Sequence, residues 1–127
     1  WLAVPDALHF FRQLGPARVR SYNPNLVTQK AKEISAAWNA PVDGPPEMHG
    51  SMMAIRLPAP LQRRGALQLM RTLHRRHGVM AVVMPVGGEL WARISAQVYN
   101  VPADYERLLM AASAHMNSRA ETREGTP

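Results

Sequence analysis

The chain contains no cysteine, and this removes several functions at once. A disulfide framework, a thiolate metal site and a cysteine nucleophile are all excluded, and a cytoplasmic setting is the default expectation. Lysine is scarce: Lys30 and Lys32 are the only two in 127 residues. Aromatic residues make up 6% of the chain, and none are interleaved with the arginines as a single-strand nucleic-acid binder requires. No apolar run approaches the roughly 18 residues that span a bilayer, and the start lacks the basic-then-apolar order of a secretory signal. The histidines His9, His49, His74, His77 and His115 are scattered without a His-Glu-x-x-His spacing, so no metal centre is predicted. A Gly-x-Ser-x-Gly nucleophile elbow is also missing.

What the chain does have is positive charge, with a formal net charge of +6 and a pI near 10.8. Its densest cluster, Arg63, Arg64, Arg71, His74, Arg75, Arg76 and His77, falls on one predicted helix. Cations in the last turn oppose the negative end of the helix dipole, so a solvated face accounts for them without a ligand. Nucleic acid is therefore not the expected partner. A free-standing basic module that binds nucleic acid or an acidic protein surface stays open as the alternative function.

At this length one domain is expected, spanning residues 1–117, with 118–127 a polar tail lacking apolar periodicity. Pro5 suits the first turn of a helix to about Leu14, and Gly15-Pro16 ends it. Val19, Tyr22, Leu26, Val27, Ala31, Ile34 and Trp38 recur at helical spacing over residues 17–39, with Pro24 an irregularity near the start. Ala40 to Pro46 is rich in turn residues. A strand over 51–57, a crossover helix over 61–77 stopped at Gly78, and a strand over 79–85 follow. Gly87-Gly88 then makes a tight return into the next strand, and a last helix runs from about Pro102 to Met116. Eight methionines read as packing residues. The order describes an α+β fold, a small mixed sheet of about three strands with helices on one face.

The strand beginning at Glu89 alternates strictly. Leu90, Ala92, Ile94, Ala96 and Val98 fall on one face; Trp91, Arg93, Ser95, Gln97 and Tyr99 fall on the other. A single guanidinium thus sits among aromatic and hydrogen-bonding groups, in the strand expected at the sheet centre. Two readings follow from the residues alone: an ordinary cross-strand ion pair, or a site whose paired N–H donors take a carboxylate.

Met48-His-Gly-Ser-Met-Met-Ala-Ile-Arg-Leu-Pro58, then Leu90-Trp-Ala-Arg-Ile-Ser-Ala-Gln-Val-Tyr-Asn100 and Ala103-Asp-Tyr-Glu-Arg-Leu108, resemble in order and spacing the C-terminal domain of class V aminotransferase-fold enzymes. Within that superfamily the likeness is to the isopenicillin-N epimerase-like branch, and it extends from Trp1 to about Met116. The resemblance implies a pyridoxal phosphate enzyme, homodimeric, acting on amino-acid-like small molecules, with its cofactor and Schiff-base lysine in a large domain outside this sequence. It assigns Arg93, in Arg-Ile-Ser, to the substrate α-carboxylate. Ser95, Gln97 and Tyr99, on the same face by alternation, would orient Arg93 or pair with neighbouring strands, and the resemblance puts His49 and Ser51 near the mouth of the site. Gly50 reads as a backbone turn, and Arg56 as an edge-strand charge. Opening on Trp1 rather than methionine, the chain reads as part of a longer protein. Lys30 and Lys32 are expected on the exposed side of a helix, so the chain alone would hold no cofactor and turn over no substrate.

Overall fold

A computed structural model of the chain describes residues 3–117; the expected tail at 118–127 lies outside them. The elements run α1 (Val4–Leu14), α2 (Pro16–Trp38), a 3₁₀ turn (Pro46–Met48), β1 (Met52–Arg56), α3 (Ala59–Gln62), α4 (Ala66–His77), β2 (Val82–Val86), β3 (Glu89–Ser95) and α5 (Pro102–Asn117). This is the predicted order of an α+β fold, with one helix divided.

Helix boundaries follow their local chemistry. Proline opens both α1 and α2, where its missing N–H costs nothing, and Gly15 at φ 79° makes the break between them. Pro24 is tolerated within the 23 residues of α2, which is capped after Trp38 by Asn39, a left-handed residue whose N–H bonds the carbonyls of Ser35 and Ala36. The crossover helix, expected unbroken from Leu61, is interrupted at residues 63–65. Gly65 is extended there and starts α4 afresh. The break frees Gln62 to serve the sheet: its Nε2 donates to Leu57 O at 2.7 Å and Leu90 O at 2.9 Å, and Leu90 N–H donates to its Oε1 at 2.6 Å.

The sheet order is β1-β3-β2, and both pairings are antiparallel. The expected mixed sheet does not form, because β1 and β2, which run parallel to each other, are separated by β3. Gly87 and Gly88, both at positive φ, supply the two-residue turn that a right-twisted hairpin requires. The outer edge of β1 is not bare. Val42 forms a bridge with Ile55, and Asp43 N–H donates to Ala54 O at 2.8 Å, so the loop after α2 shields that edge from further pairing.

The core lies on one side of the sheet. Met53, Ile55, Val83, Leu90, Ala92 and Ile94 pack against Val27, Ala31, Ile34 and Trp38 of α2, Leu69 and Leu73 of α4, and Tyr105, Leu108, Ala111 and Ala112 of α5. Burying each large aliphatic side chain is worth about 1.5–3 kcal/mol, so this layer dominates stability. By contrast α1 buries no residue at all. Among the described residues no helix is long and apolar enough to cross a membrane.

Candidate functional site

β3 is the central strand, and Arg93 is its middle residue on the uncovered face. Leu90, Ala92 and Ile94 are buried, whereas Arg93 and Ser95 are exposed and Trp91 is half-buried. The register places Ala54 of β1 and Val82 of β2 on either side of Arg93. Neither neighbour offers a carboxylate. Among the described residues no ion pair or side-chain hydrogen bond involves Arg93, although four other ion pairs form. The cross-strand ion-pair reading is therefore unsupported at Arg93. It applies instead one row away, where Arg56 Nη1 lies 2.8 Å from Glu89 Oε1. An unpaired guanidinium over flat, small neighbours keeps all five donors available for a planar anion.

Not all the predicted companions of Arg93 share its setting. Ser95 does, as the last residue of β3. Gln97 and Tyr99 do not, because the strand ends before them. Gln97 N–H donates to Asn100 Oδ1 at 2.9 Å, and the Gln97 Oε1 accepts from Val98 N–H at 2.9 Å and from Asn23 Nδ2 at 2.9 Å. These bonds bend the chain toward α2 and break the period-2 alternation. Tyr99 stands 78% exposed on that turn. The groups that fix the end of β3 are ones the alternation did not single out. Tyr105 Oη donates to Ser95 O at 2.8 Å, and Tyr22 Oη to Asn100 O at 2.7 Å. Burial pushes the Tyr105 phenol up from its ordinary value, with the Asp104 charge adding to the effect, so it stays a donor.

At the start of β1, His49 Nε2 hydrogen-bonds the Asp43 carbonyl, which assigns the proton to that nitrogen. The ring closes the 43–49 loop over Gly44, a residue at φ 68°. His49 thus serves the loop. Ser51 is half-buried, and its carbonyl accepts Ala96 N–H at 2.8 Å. That bond extends the β1–β3 ladder to the base of the Arg93 strand.

Lys30 departs from expectation. It is 6% exposed, with Nζ 2.7 Å from Glu33 Oε2 and 3.5 Å from Glu106 Oε1. The Glu33 hydrogen bond raises its pKa against the opposing effect of burial, so the amine is held protonated. Lys32 is exposed on α2, and α2 packs on the covered side of the sheet. A pyridoxal group needs a neutral, accessible amine beside its site. Neither lysine fits that role. The arginines Arg71, Arg75 and Arg76 border a shallow depression on α4 with Leu67, Gln68 and Thr72. No aromatic side chain lines it, as stacking on a base would need.

No protein-family model matches the chain, but individual proteins do. Isopenicillin N epimerase of Streptomyces clavuligerus is 32% identical over 118 residues, 90% of this chain and 28% of the epimerase. "Putative L-cysteine desulfhydrase 1" of Oryza sativa subsp. japonica is 30% identical over 128 residues, 84% of this chain and 27% of the rice protein. "Probable L-cysteine desulfhydrase, chloroplastic" of Arabidopsis thaliana is 30% identical over 120 residues, 84% of this chain and 25% of the plant protein. The chain spans about a quarter of the length of these relatives.

Proposed function

Because this chain is a relative of the class V aminotransferase-fold enzymes of the epimerase and desulfhydrase kind, we propose that it is their C-terminal domain and binds the substrate carboxylate through Arg93. The substrate class is an amino acid or a close analogue. The chemistry belongs to pyridoxal phosphate, held with its lysine by the large domain of the full-length protein. That large domain and the homodimer are the partners in this reading.

The observation that carries the proposal is the unpaired guanidinium at the centre of an uncovered sheet face. A free arginine on a flexible loop would lose much of its binding energy to ordering. Arg93 is anchored instead in a strand hydrogen-bonded on both sides, so its backbone is fixed before a ligand arrives. Met52, Val82 and Val86 are 54%, 40% and 54% exposed on the same face, an apolar surround suited to burial beneath another domain. Closing that domain over the sheet would exclude water and strengthen the charge-assisted bonds to the carboxylate. Epimerisation and desulfhydration differ in what happens beyond the carboxylate, so the reaction type follows from residues of the large domain.

The test is Arg93→Ala and Arg93→Lys in the full-length gene product. Loss of a charged hydrogen-bonding group of this kind costs about 1.5–3 kcal/mol. Catalytic efficiency should therefore fall roughly ten- to more than a hundredfold, with the pyridoxal absorbance band unchanged. Lysine should restore little, because it cannot reproduce the bidentate fork. Unaltered kinetics in Arg93→Ala would sink the assignment.

A further inference from the structure

The histidine pair between α4 and α5 is not absorbed by the site above. His77, in the last turn of α4, and His115, in the last turn of α5, approach with Nε2 atoms 3.0 Å apart. Their ring centroids are 5.0 Å apart and the planes cross at 83°. One Nε2 must donate a proton and the other accept it, so the contact requires at least one neutral ring. When both rings are protonated neither nitrogen can accept, and two cations face each other at hydrogen-bond distance.

The surroundings leave no way to absorb that second charge. His115 is 7% exposed. The charged groups facing it are Arg64, from the link between α3 and α4, and Arg76 and His77 of α4. All are cationic or can become so. Arg64 Nη2 also approaches the His115 carbonyl at 3.5 Å. Among the described residues, no carboxylate forms an ion pair with any of the four. The dipoles of the two helices favour cations at their C-termini, but only weakly, and the effect fades within the last turn. Burial and three positive neighbours oppose them.

We propose that His77 and His115 form a proton-operated latch, tying the end of α5 to the end of α4 while one ring is neutral and releasing it when both are protonated. Burial first, then Arg64, His77 and Arg76, hold the His115 pKa below its ordinary value. The unfolded chain therefore takes up this proton before the folded one does. The latch's contribution is complete above a pH of about 6.5 and is lost as pH falls through the lower folded value. The Tyr105 tie to Ser95 lies near the other end of α5 and carries no charge, so release is confined to the last turns of the helix.

Hydrogen exchange on the full chain tests this between about pH 7 and about pH 5, the range over which histidine changes charge. Protection at Ala111–Met116, divided by protection in the buried part of α2 around Ile34, should fall with pH. The fall should be roughly tenfold for each unit by which His115 is depressed. In His77→Gln the amide can still hydrogen-bond but carries no charge, so the fall should shrink, and the His115 ring should titrate at higher pH by NMR. An equal loss of protection in both helices would overturn the latch. So would a protection ratio or a His115 titration that His77→Gln leaves unmoved.

Discussion

The two faces of the three-stranded sheet are built from alternate residues of the same strands, yet they answer to different demands. On the covered face every position of β3 is a small or aliphatic residue, and Ile55 and Ala92 are almost wholly buried. On the uncovered face the same strand carries Trp91, Arg93 and Ser95, and its neighbours carry exposed Met52, Val82 and Val86. Folding requires the first set. It does not require the second, whose exposed apolar groups cost solubility without filling any core. Two long cations, Lys30 and Arg93, sharpen the contrast. Lys30, packed among the helices, is matched by Glu33 and Glu106, whereas Arg93, on the side exposed to solvent, is matched by nothing described.

The largest effect should come from the covered face. Ile55 is fully buried between α2 and β3, so Ile55→Ala should cost about 2–5 kcal/mol through lost transfer energy and the cavity left behind. Met52→Ala, on the uncovered face of the same strand, should stay within about 0.5 kcal/mol. Denaturant titration of both variants checks the asymmetry. A Met52 cost approaching that of Ile55 would mean that the second face is also packed.

A smaller effect should come from the cap that starts α5, the helix completing the covered layer. The Asp104 carboxylate accepts Val101 N–H at 3.0 Å and Asn100 Nδ2 at 3.3 Å, and it pairs with Arg107. It thus satisfies a donor that the helix start would leave free. Asp104→Ala should cost about 0.5–2 kcal/mol, in the range of lost caps. The Val101 bond first, then Asn100 and Arg107, hold the Asp104 pKa below its usual range. Its contribution is therefore complete above about pH 4 and lost as pH falls through the folded value. Stability of Asp104→Ala measured against pH should converge on wild type in acid. A constant gap down to pH well below that range would assign the cap to packing rather than charge.

The central position of β3, the side of it that faces solvent and the hairpin at Gly87-Gly88 were all legible in the sequence, because period-2 alternation and turn chemistry are local signals. The end of the strand was not. Ala96 and Val98 continue the apolar alternation, but the side chains of Gln97 and Asn100 satisfy the backbone of a turn, and that competition is visible only when the partners are in place. The same holds for the break ahead of Gly65, where the side chain of Gln62, the last residue of α3, bonds Leu90 of β3. Lys30 was readable in principle. It lies on the helical stripe of Asn23, Leu26, Val27 and Ile34, and a charged residue on a buried stripe calls for partners. Its second partner, Glu106, is 76 residues away, beyond any local pattern. His115 lies one turn from Ala111 and Ala112 on the buried face of α5, but its meeting with His77 depends on how two helices pack.

The smallest effect decides how independent the uncovered face is. Arg56 and Glu89 are 38% and 46% exposed, with their charged atoms 2.8 Å apart, one row from Arg93 in the β1–β3 register. A pair so open to solvent should contribute about 0.2–1 kcal/mol, measured as the coupling between Arg56→Ala and Glu89→Ala in a double-mutant cycle. The coupling should shrink on raising salt, which screens exposed charges. If it holds, the face is a lightly built surface whose charges do little for the fold, and Arg93 can be spent on a ligand. A coupling well above that range, insensitive to salt, would instead make the row a structural network. Arg93 would then be its neighbour by necessity, and the carboxylate assignment would have to stand on kinetics alone.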